Sequence, residues 1–241
     1  MTDKPLLGRI VVVTGASRGI GRAAALGVAA AGAHVVAVAR TVGGLEELDD
    51  AIRAVGGEAT LVPLDLKDFP AIDRLGAALY ERYGKLDGLV GNAGVLGPIS
   101  PVGHVDPKDF DEVLAVNVTA NYRLIRSLDP LLRLSGRGRA VFLSSGAVRN
   151  LRPFWGAYSL SKAALEALVV TYARESETHG IKANLVNPGP MRTKMRAKAM
   201  PGEDPETLPA PEALVPHIVR LLGDDVAETG RVWDFPKQAW L

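Results

Sequence analysis

Cysteine is absent from all 241 residues. Disulfides, thiolate metal sites and a cysteine nucleophile are thereby excluded, and no metal centre is expected. An excess of one charge is also lacking: 28 Lys and Arg stand against 27 Asp and Glu, a formal net charge of +1. A nucleic-acid surface needs a basic excess, and a disordered chain needs high charge with few apolar residues. Neither fits a chain that is 47% hydrophobic. No stretch approaches the ~20 apolar residues that span a bilayer. The opening MTDKPLLGRIVVVTG has too short an apolar run for a secretory signal. The expectation is a cytoplasmic protein with no nucleic-acid or membrane partner. Long linkers and internal repeats are missing too, so residues 1–241 read as a single domain.

What the chain does have is alternation. Short apolar runs at 10–14, 34–39, 59–64, 86–90, 140–144 and 182–186 read as buried strands. Longer stretches at 20–31, 45–55, 71–83, 110–134 and 158–178 read as helices, several of them stopped by glycine. This order predicts an α/β fold: a parallel sheet of about seven strands with helices on both faces. The least regular segment, 192–211, is rich in Pro, Met and charge.

Between the first strand and first helix lies Thr14-Gly15-Ala16-Ser17-Arg18-Gly19-Ile20-Gly21. A pyrophosphate needs backbone that can approach closely and a helix N-terminus with unpaired N–H groups. Gly15, Gly19 and Gly21 supply the first, and the helix opening at Ile20 the second. A tight strand-to-helix turn would use glycine as well, but the strand before and helix after favour the nucleotide reading. Dinucleotide folds that bind NAD place an acid at the end of the second strand. Here that strand runs into Arg40 with no acid nearby. A guanidinium suits a ribose 2′-phosphate, and Arg18 in the glycine turn offers a second one. The expected cofactor is therefore NADP(H).

Tyr158 and Lys162 are four residues apart and share a helix face. A neighbouring ammonium lowers a tyrosine pKa, so the pair could trade a proton with an alcohol or carbonyl. Ser145 lies just past the fifth strand, at the end of the sheet where ligands bind. Ser144 beside it is the alternative. No G-x-S-x-G turn is present, which argues against a hydrolase.

These motifs, with Asn92-Ala93-Gly94, Asn117, Tyr158-Ser159-Leu160-Ser161-Lys162 and Asn187-Pro188-Gly189, occur in an order and spacing that resembles the short-chain dehydrogenases/reductases. The resemblance implies a Rossmann-type doubly wound sheet and hydride transfer between NADP(H) and a carbonyl or alcohol. It implies that Tyr158 is the general acid in reduction and the base in oxidation. Lys162 would bind the nicotinamide ribose, Ser145 would orient the substrate oxygen, and Asn117 would hold a water linking Lys162 to solvent. Asp65 and Leu66 would sit against adenine. Asn92, Ala93 and Gly94 would pack near the adenosine ribose and stabilise the sheet. Pro188, Gly189, Met191 and Thr193 would cradle the nicotinamide.

The helical stretches at 110–134 and 158–178 carry more apolar positions than one sheet face can cover, so they are expected to pair in an isologous homodimer, which the resemblance extends to a homotetramer. Two departures stand out: Gly91, where many relatives have asparagine and where little effect is expected, and the tail at 229–236, which lacks an Asp-Gly-Gly ending.

The substrate is expected to be a small carbonyl compound or alcohol under a short lid at about 194–210. Leu96, Phe154, Trp155 and Met195 are the expected apolar lining, with ordinary packing as the alternative for Phe154 and Trp155. Arg149 and Arg152 would flank the entrance, or be merely solvated. Two rival readings are a non-catalytic NADP(H)-binding redox sensor and a sugar-nucleotide epimerase or dehydratase. The second calls for a larger C-terminal domain than this chain has room for.

Overall fold

The computed structural model describes residues 4–241; residues 1–3 of the single domain read from sequence lie outside the described residues. Strand β1 (Ile10–Thr14) has branched side chains buried on both sides of the sheet. Val11 and Val13 join one core, and Val12 joins the other, as the two-residue period of a strand requires. Strands β2 (His34–Ala39), β3 (Glu58–Pro63), β4 (Gly88–Gly91), β5 (Arg139–Leu143), β6 (Lys182–Asn187) and β7 (Val232–Asp234) complete a parallel array, and β8 (Ala239–Trp240) closes the edge antiparallel to β7. The order is β3-β2-β1-β4-β5-β6-β7-β8. The chain winds outward one way from β1 to β3 and the other way from β4. The expected doubly wound sheet is present, with a short eighth strand beyond the predicted seven.

Helices α1 (Gly19–Ala30), α2 (Val42–Ala54) and α9 (Val215–Leu221) cover one face. Helices α3 (Phe69–Tyr83), α5 (Ala120–Leu134) and α7 (Gly156–Glu175) cover the other, and the short α6 (Ala147–Asn150) follows β5. Local chemistry sets their ends. Asp68 caps α3 by accepting the Ala71 N–H at 3.0 Å, and Gly84, left-handed at φ 72°, ends it. The stretch expected as one helix over 110–134 is instead α4 (Pro107–Leu114), a π-helical turn at Ala115–Thr119, and α5. No helix among the described residues is long and apolar enough to cross a membrane.

Two sequence departures now have physical accounts. Strand β7 ends on Asp234, a buried carboxylate that accepts from Asn187 Nδ2 at 3.0 Å and from the Lys237 N–H at 3.0 Å. The chain then turns back, and Trp240 packs edge-on against Trp233. Gly91 matters more than expected: a Cβ there would lie 2.3 Å from Phe142 Cδ1. Phe142 is fully buried and cannot move aside freely. Gly91→Ala is expected to lower the unfolding free energy by about 1–3 kcal/mol, the usual cost of overpacking. Urea titration reads this as a lower midpoint at unchanged slope; an unchanged midpoint would show that the ring can yield.

Candidate active site

Ligand clefts in such sheets form where the winding reverses, here between β1 and β4 at their carboxyl ends. The side chains at that point are knotted together. Thr14 Oγ1 accepts the N–H groups of Asn92 and Ala93 at 3.0 and 3.1 Å and donates to Val90 O at 3.3 Å. Asn92 Nδ2 donates back to Thr14 O at 2.8 Å. The glycines of the next turn are forced by this crowding. Gly15 has φ +66°, and its Cβ would lie 2.8 Å from Asn92 Nδ2. A Cβ at Gly21 would lie 2.2 Å from Gly15 O. Helix α1 starts with no side-chain cap, so its first N–H groups face the cleft.

The cleft has a volume of about 1180 Å³, larger than the ~300–1,000 Å³ typical of one small ligand. Its end at the β1–α1 turn is lined by Gly15, Ser17, Arg18, Gly19 and Ile20. Gly21 is not in the lining; it lies beneath, against Gly15. Arg40 follows β2, exposed on the cleft wall. Neither Arg18 nor Arg40 forms an ion pair among the described residues. Asp65, Leu66, Asn92, Ala93 and Gly94 line the neighbouring wall, and Asp65 also accepts the Lys67 N–H at 2.9 Å. A pair not foreseen from sequence crosses this end: Lys67 Nζ to Glu112 Oε1 at 2.9 Å. It raises the Lys67 pKa and lowers that of Glu112, with Arg40 acting on both.

At the other end Ser145, Tyr158 and Lys162 line the floor, with Pro188, Gly189, Met191 and Thr193 beside them. Gly189 has φ +67° and faces Pro236, whose Cγ would lie 2.4 Å from an added Cβ. Thr193 caps helix α8 (Lys194–Ala199), accepting the Arg196 N–H at 3.2 Å. The segment expected as a flexible lid is thus partly helical. Arg192 pairs with Glu206 at 2.7 Å and Arg196 with Glu203 at 2.5 Å.

The two serines after β5 both line the cleft but differ in burial and partners. Ser144 is buried and donates to Glu166 on α7, which also takes the Arg149 fork at 3.0 and 3.1 Å. Ser145 faces the cleft, accepts the Ala147 N–H at 3.2 Å, and stands near enough to Tyr158 to lower its pKa somewhat. The Ser144 hydroxyl is thus engaged by Glu166, and the Ser145 hydroxyl is the one beside Tyr158. The Glu166 pairing also corrects the reading of Arg149, which is tied there rather than placed at the entrance of the cleft.

Tyr158 is buried, and loss of hydration raises its pKa despite the Ser145 bond. Lys162 is buried too, and desolvation lowers it from 10.5 to about 8. Its Nζ donates to Leu143 O at 2.7 Å and lies 5.9 Å from the Tyr158 ring centroid. Burial therefore outweighs the expected lowering of the tyrosine by the ammonium. Asn117 sits in the π-helical turn. Its side chain accepts the Val95 N–H at 2.8 Å and donates to Val95 O and Ser161 Oγ, both at 2.9 Å. These bonds reach two other elements rather than its own helix. Glu166 was not singled out from sequence, and Ser161 was named only within its motif without a role; their places on α7, beside and one turn beyond Lys162, were the available signal.

Of the expected substrate lining, Leu96, Trp155 and Met195 line the cleft. Phe154 does not. Its backbone is left-handed at φ 72°, which turns the ring outward to 53% exposure.

Residues 9–204 match the family described as short chain dehydrogenase. A relative named as uncharacterized oxidoreductase YciK, from Escherichia coli K12, is 38% identical over 94% of this chain and 91% of its own. The crystal structure of a short chain dehydrogenase from Salmonella enterica serovar Typhi CT18 superposes with a TM-score of 0.93 at 38% identity, covering 97% of this chain and 98% of that one. An Escherichia coli CFT073 structure complexed with NADPH gives 0.90 at 38% identity, covering 96% and 98%.

The buried lysine has a consequence for stability. Its folded pKa lies below its unfolded value of 10.5. Between about pH 8 and 10.5 the unfolded chain holds the proton that the folded one has lost, so stability from this group rises with pH. Lys162→Met removes the effect while other groups cancel in the difference. Without cofactor, wild type is expected to gain on the variant by up to about 1.4 kcal/mol per pH unit across that window. Denaturant titrations at several pH values check this; a flat difference would place the lysine proton at its ordinary pKa.

Proposed function

The chain belongs to the short chain dehydrogenases, and from that premise we propose that it is an NADP(H)-dependent oxidoreductase acting on a carbonyl or secondary alcohol. The observation that carries the reading is one cleft with Arg18 and Arg40 at one end and Ser145, Tyr158 and Lys162 at the other. The residues present fit the dinucleotide. The crowded glycines admit backbone to a pyrophosphate, and the uncapped first turn of α1 offers N–H donors. Arg40 and Arg18 would hold the 2′-phosphate by charge-assisted bonds. Asp65 and Leu66 would flank adenine, and Pro188, Gly189, Met191 and Thr193 would hold the nicotinamide end. When bound, the cofactor supplies or accepts a hydride.

The chain's own groups handle the proton. Burial keeps Tyr158 as the neutral phenol, the form that can donate to a carbonyl oxygen in reduction. Ser145 orients that oxygen by a hydrogen bond. Lys162, at about 8, is mostly protonated at neutral pH and can return a proton toward the tyrosine. Asn117 Oδ1 and Lys162 Nζ would lie 3.2 and 3.6 Å from a Cβ at Gly94, so the two groups are neighbours there. A water held by Asn117 would link the lysine to solvent. The segment at about 194–210 would act as the lid. The assembly we propose is a homodimer or homotetramer through α5 and α7, where Tyr122, Leu134 and Leu160 are each about half exposed.

Loss of NADPH absorbance with a panel of aldehydes and ketones tests the reaction. Tyr158→Phe is expected to cut turnover by at least ~100-fold, the low end for lost acid catalysis, with NADPH binding retained. A variant keeping a tenth of the activity would remove Tyr158 from its role. The cofactor assignment is tested by titration. Two charge-assisted contacts, discounted for exposure, give a preference for NADPH over NADH of roughly 10- to 1,000-fold. Arg40→Asp should erase most of it, and wild-type parity would overturn the assignment.

A further inference from the structure

The substrate end of the cleft is an apolar chamber under a cationic rim. Leu96, Ala147 and Tyr158 cluster together, and Trp155 and Ala199 pack against them. Ala199 ends α8, so this contact seats the helix over the tyrosine. Helix α8 reads Lys-Met-Arg-Ala-Lys-Ala, and Lys194, Arg196 and Lys198 all line the cleft. Arg152, on the loop between Ser145 and α7, lines it as well.

These cations are not equivalent. Arg196 is neutralised by Glu203, through bonds of 2.5 Å from both Nε and Nη2. Lys194, Lys198 and Arg152 have no ion-pair partner among the described residues. Lys194 and Lys198 stand one turn apart on the same helix, where like charges repel. Lys194 follows Thr193, which lies against Gly19 at the phosphate end. Lys198 instead adjoins Ala199, at the tyrosine end. Arg152 approaches the same segment, since its charge helps to lower the Glu203 pKa. Four acids line the cleft: Asp65, Asp109, Glu112 and Glu212. Asp65 follows β3, Asp109 and Glu112 are on α4, and Glu212 lies in the turn that packs on α1. None stands on α8 or on the Arg152 loop.

We infer that the substrate is a carbonyl compound with an apolar body and a terminal anionic group, carboxylate or phosphate, which Arg152 and Lys198 receive when the carbonyl oxygen reaches Tyr158 and Ser145. This rests on Tyr158 and Ser145 being the reacting centre. An apolar body alone would call for no charge at the rim, and a cationic substrate would be repelled by it.

The test compares 4-carboxybenzaldehyde and 4-formylphenyl phosphate with methyl 4-formylbenzoate, each reduced with NADPH. The better of the two anions is expected to exceed the neutral ester in kcat/KM by about 10-fold, from two exposed charge contacts. Which anion leads separates a carboxylate from a phosphate. In the Arg152→Ala/Lys198→Ala double variant the ratio should fall toward one, through KM, with the NADPH Kd within about twofold. Calorimetry of terephthalate and dimethyl terephthalate with the protein–NADP⁺ complex gives a readout independent of turnover. Terephthalate should bind more tightly, and only while both cations are present. If the ester is reduced as well as the anions, the inference fails and the reductase reading stands. If the double variant loses NADPH instead, the cations serve the cofactor and the inference fails. If no aldehyde turns over yet terephthalate binding depends on the two cations, the anion site holds and the reductase reading fails.

Discussion

The structure depends on one knot, at the carboxyl ends of the two strands where the sheet reverses direction. Thr14 Oγ1 takes the N–H groups of Asn92 and Ala93 just past β4 and donates to Val90 O, while Asn92 Nδ2 donates back to Thr14 O. The knot draws the β1–α1 turn so close to Asn92 that positions 15 and 21 have no room for a side chain. That same closeness leaves bare backbone and an uncapped helix start beside the cleft. The glycine spacing is thus a packing consequence of the strand pairing before it is a feature of any ligand. Replacing Asn92 would leave Thr14 O and the β1–α1 turn without their side-chain tie, so the sheet and the cofactor end would be disturbed together.

A second constraint acts at the opposite end. Burial drives Tyr158 and Lys162 toward their neutral forms, the phenol upward and the amine downward. Adjacency on one helix face had suggested that charge attraction would dominate. It does not, because the lysine spends a proton on Leu143 O and stands nearly 6 Å from the ring centre, 5.9 Å. Desolvation acts on both groups with nothing of opposite charge to offset it. The result still suits the proposed chemistry in the reductive direction: a phenol that keeps its proton, beside an amine that exchanges one near neutral pH.

Much of this was legible in the sequence because two periodicities carry it. Alternation of apolar runs and helical stretches gave the six long parallel strands, with ends off by a residue or two. The glycine turn, Arg40, Tyr158 and Lys162, picked out from sequence, all contribute to the lining of one cleft. The misses have physical reasons. The π-helical turn at Ala115–Thr119 follows apolar periodicity on both sides, and only the tertiary bonds of Asn117 mark it. Phe154 reads as lining until its left-handed backbone is known. The last two strands total only five residues, three and two, too few to show a period. Gly91 looked neutral because its constraint comes from Phe142, on another strand.

Ser144 and Ser145 show why the reacting end could not be resolved from sequence alone. They are chemically identical neighbours at a strand end, and successive side chains there point to opposite sides. What separates them is Glu166. It takes the Ser144 hydroxyl while Arg149 grips both its oxygens, so Ser144 is held inward and Ser145 is left facing Tyr158. Glu166 lies one turn beyond Lys162 on α7, the helix that also carries Tyr158. One rigid helix therefore presents the tyrosine and the lysine directly and fastens the loop that presents the serine. The spacing of Tyr158 and Lys162 is fixed by α7 itself, and the serine loop is anchored to the same helix next to Ser145, which suits the proposed proton transfer over hydrogen-bond distances.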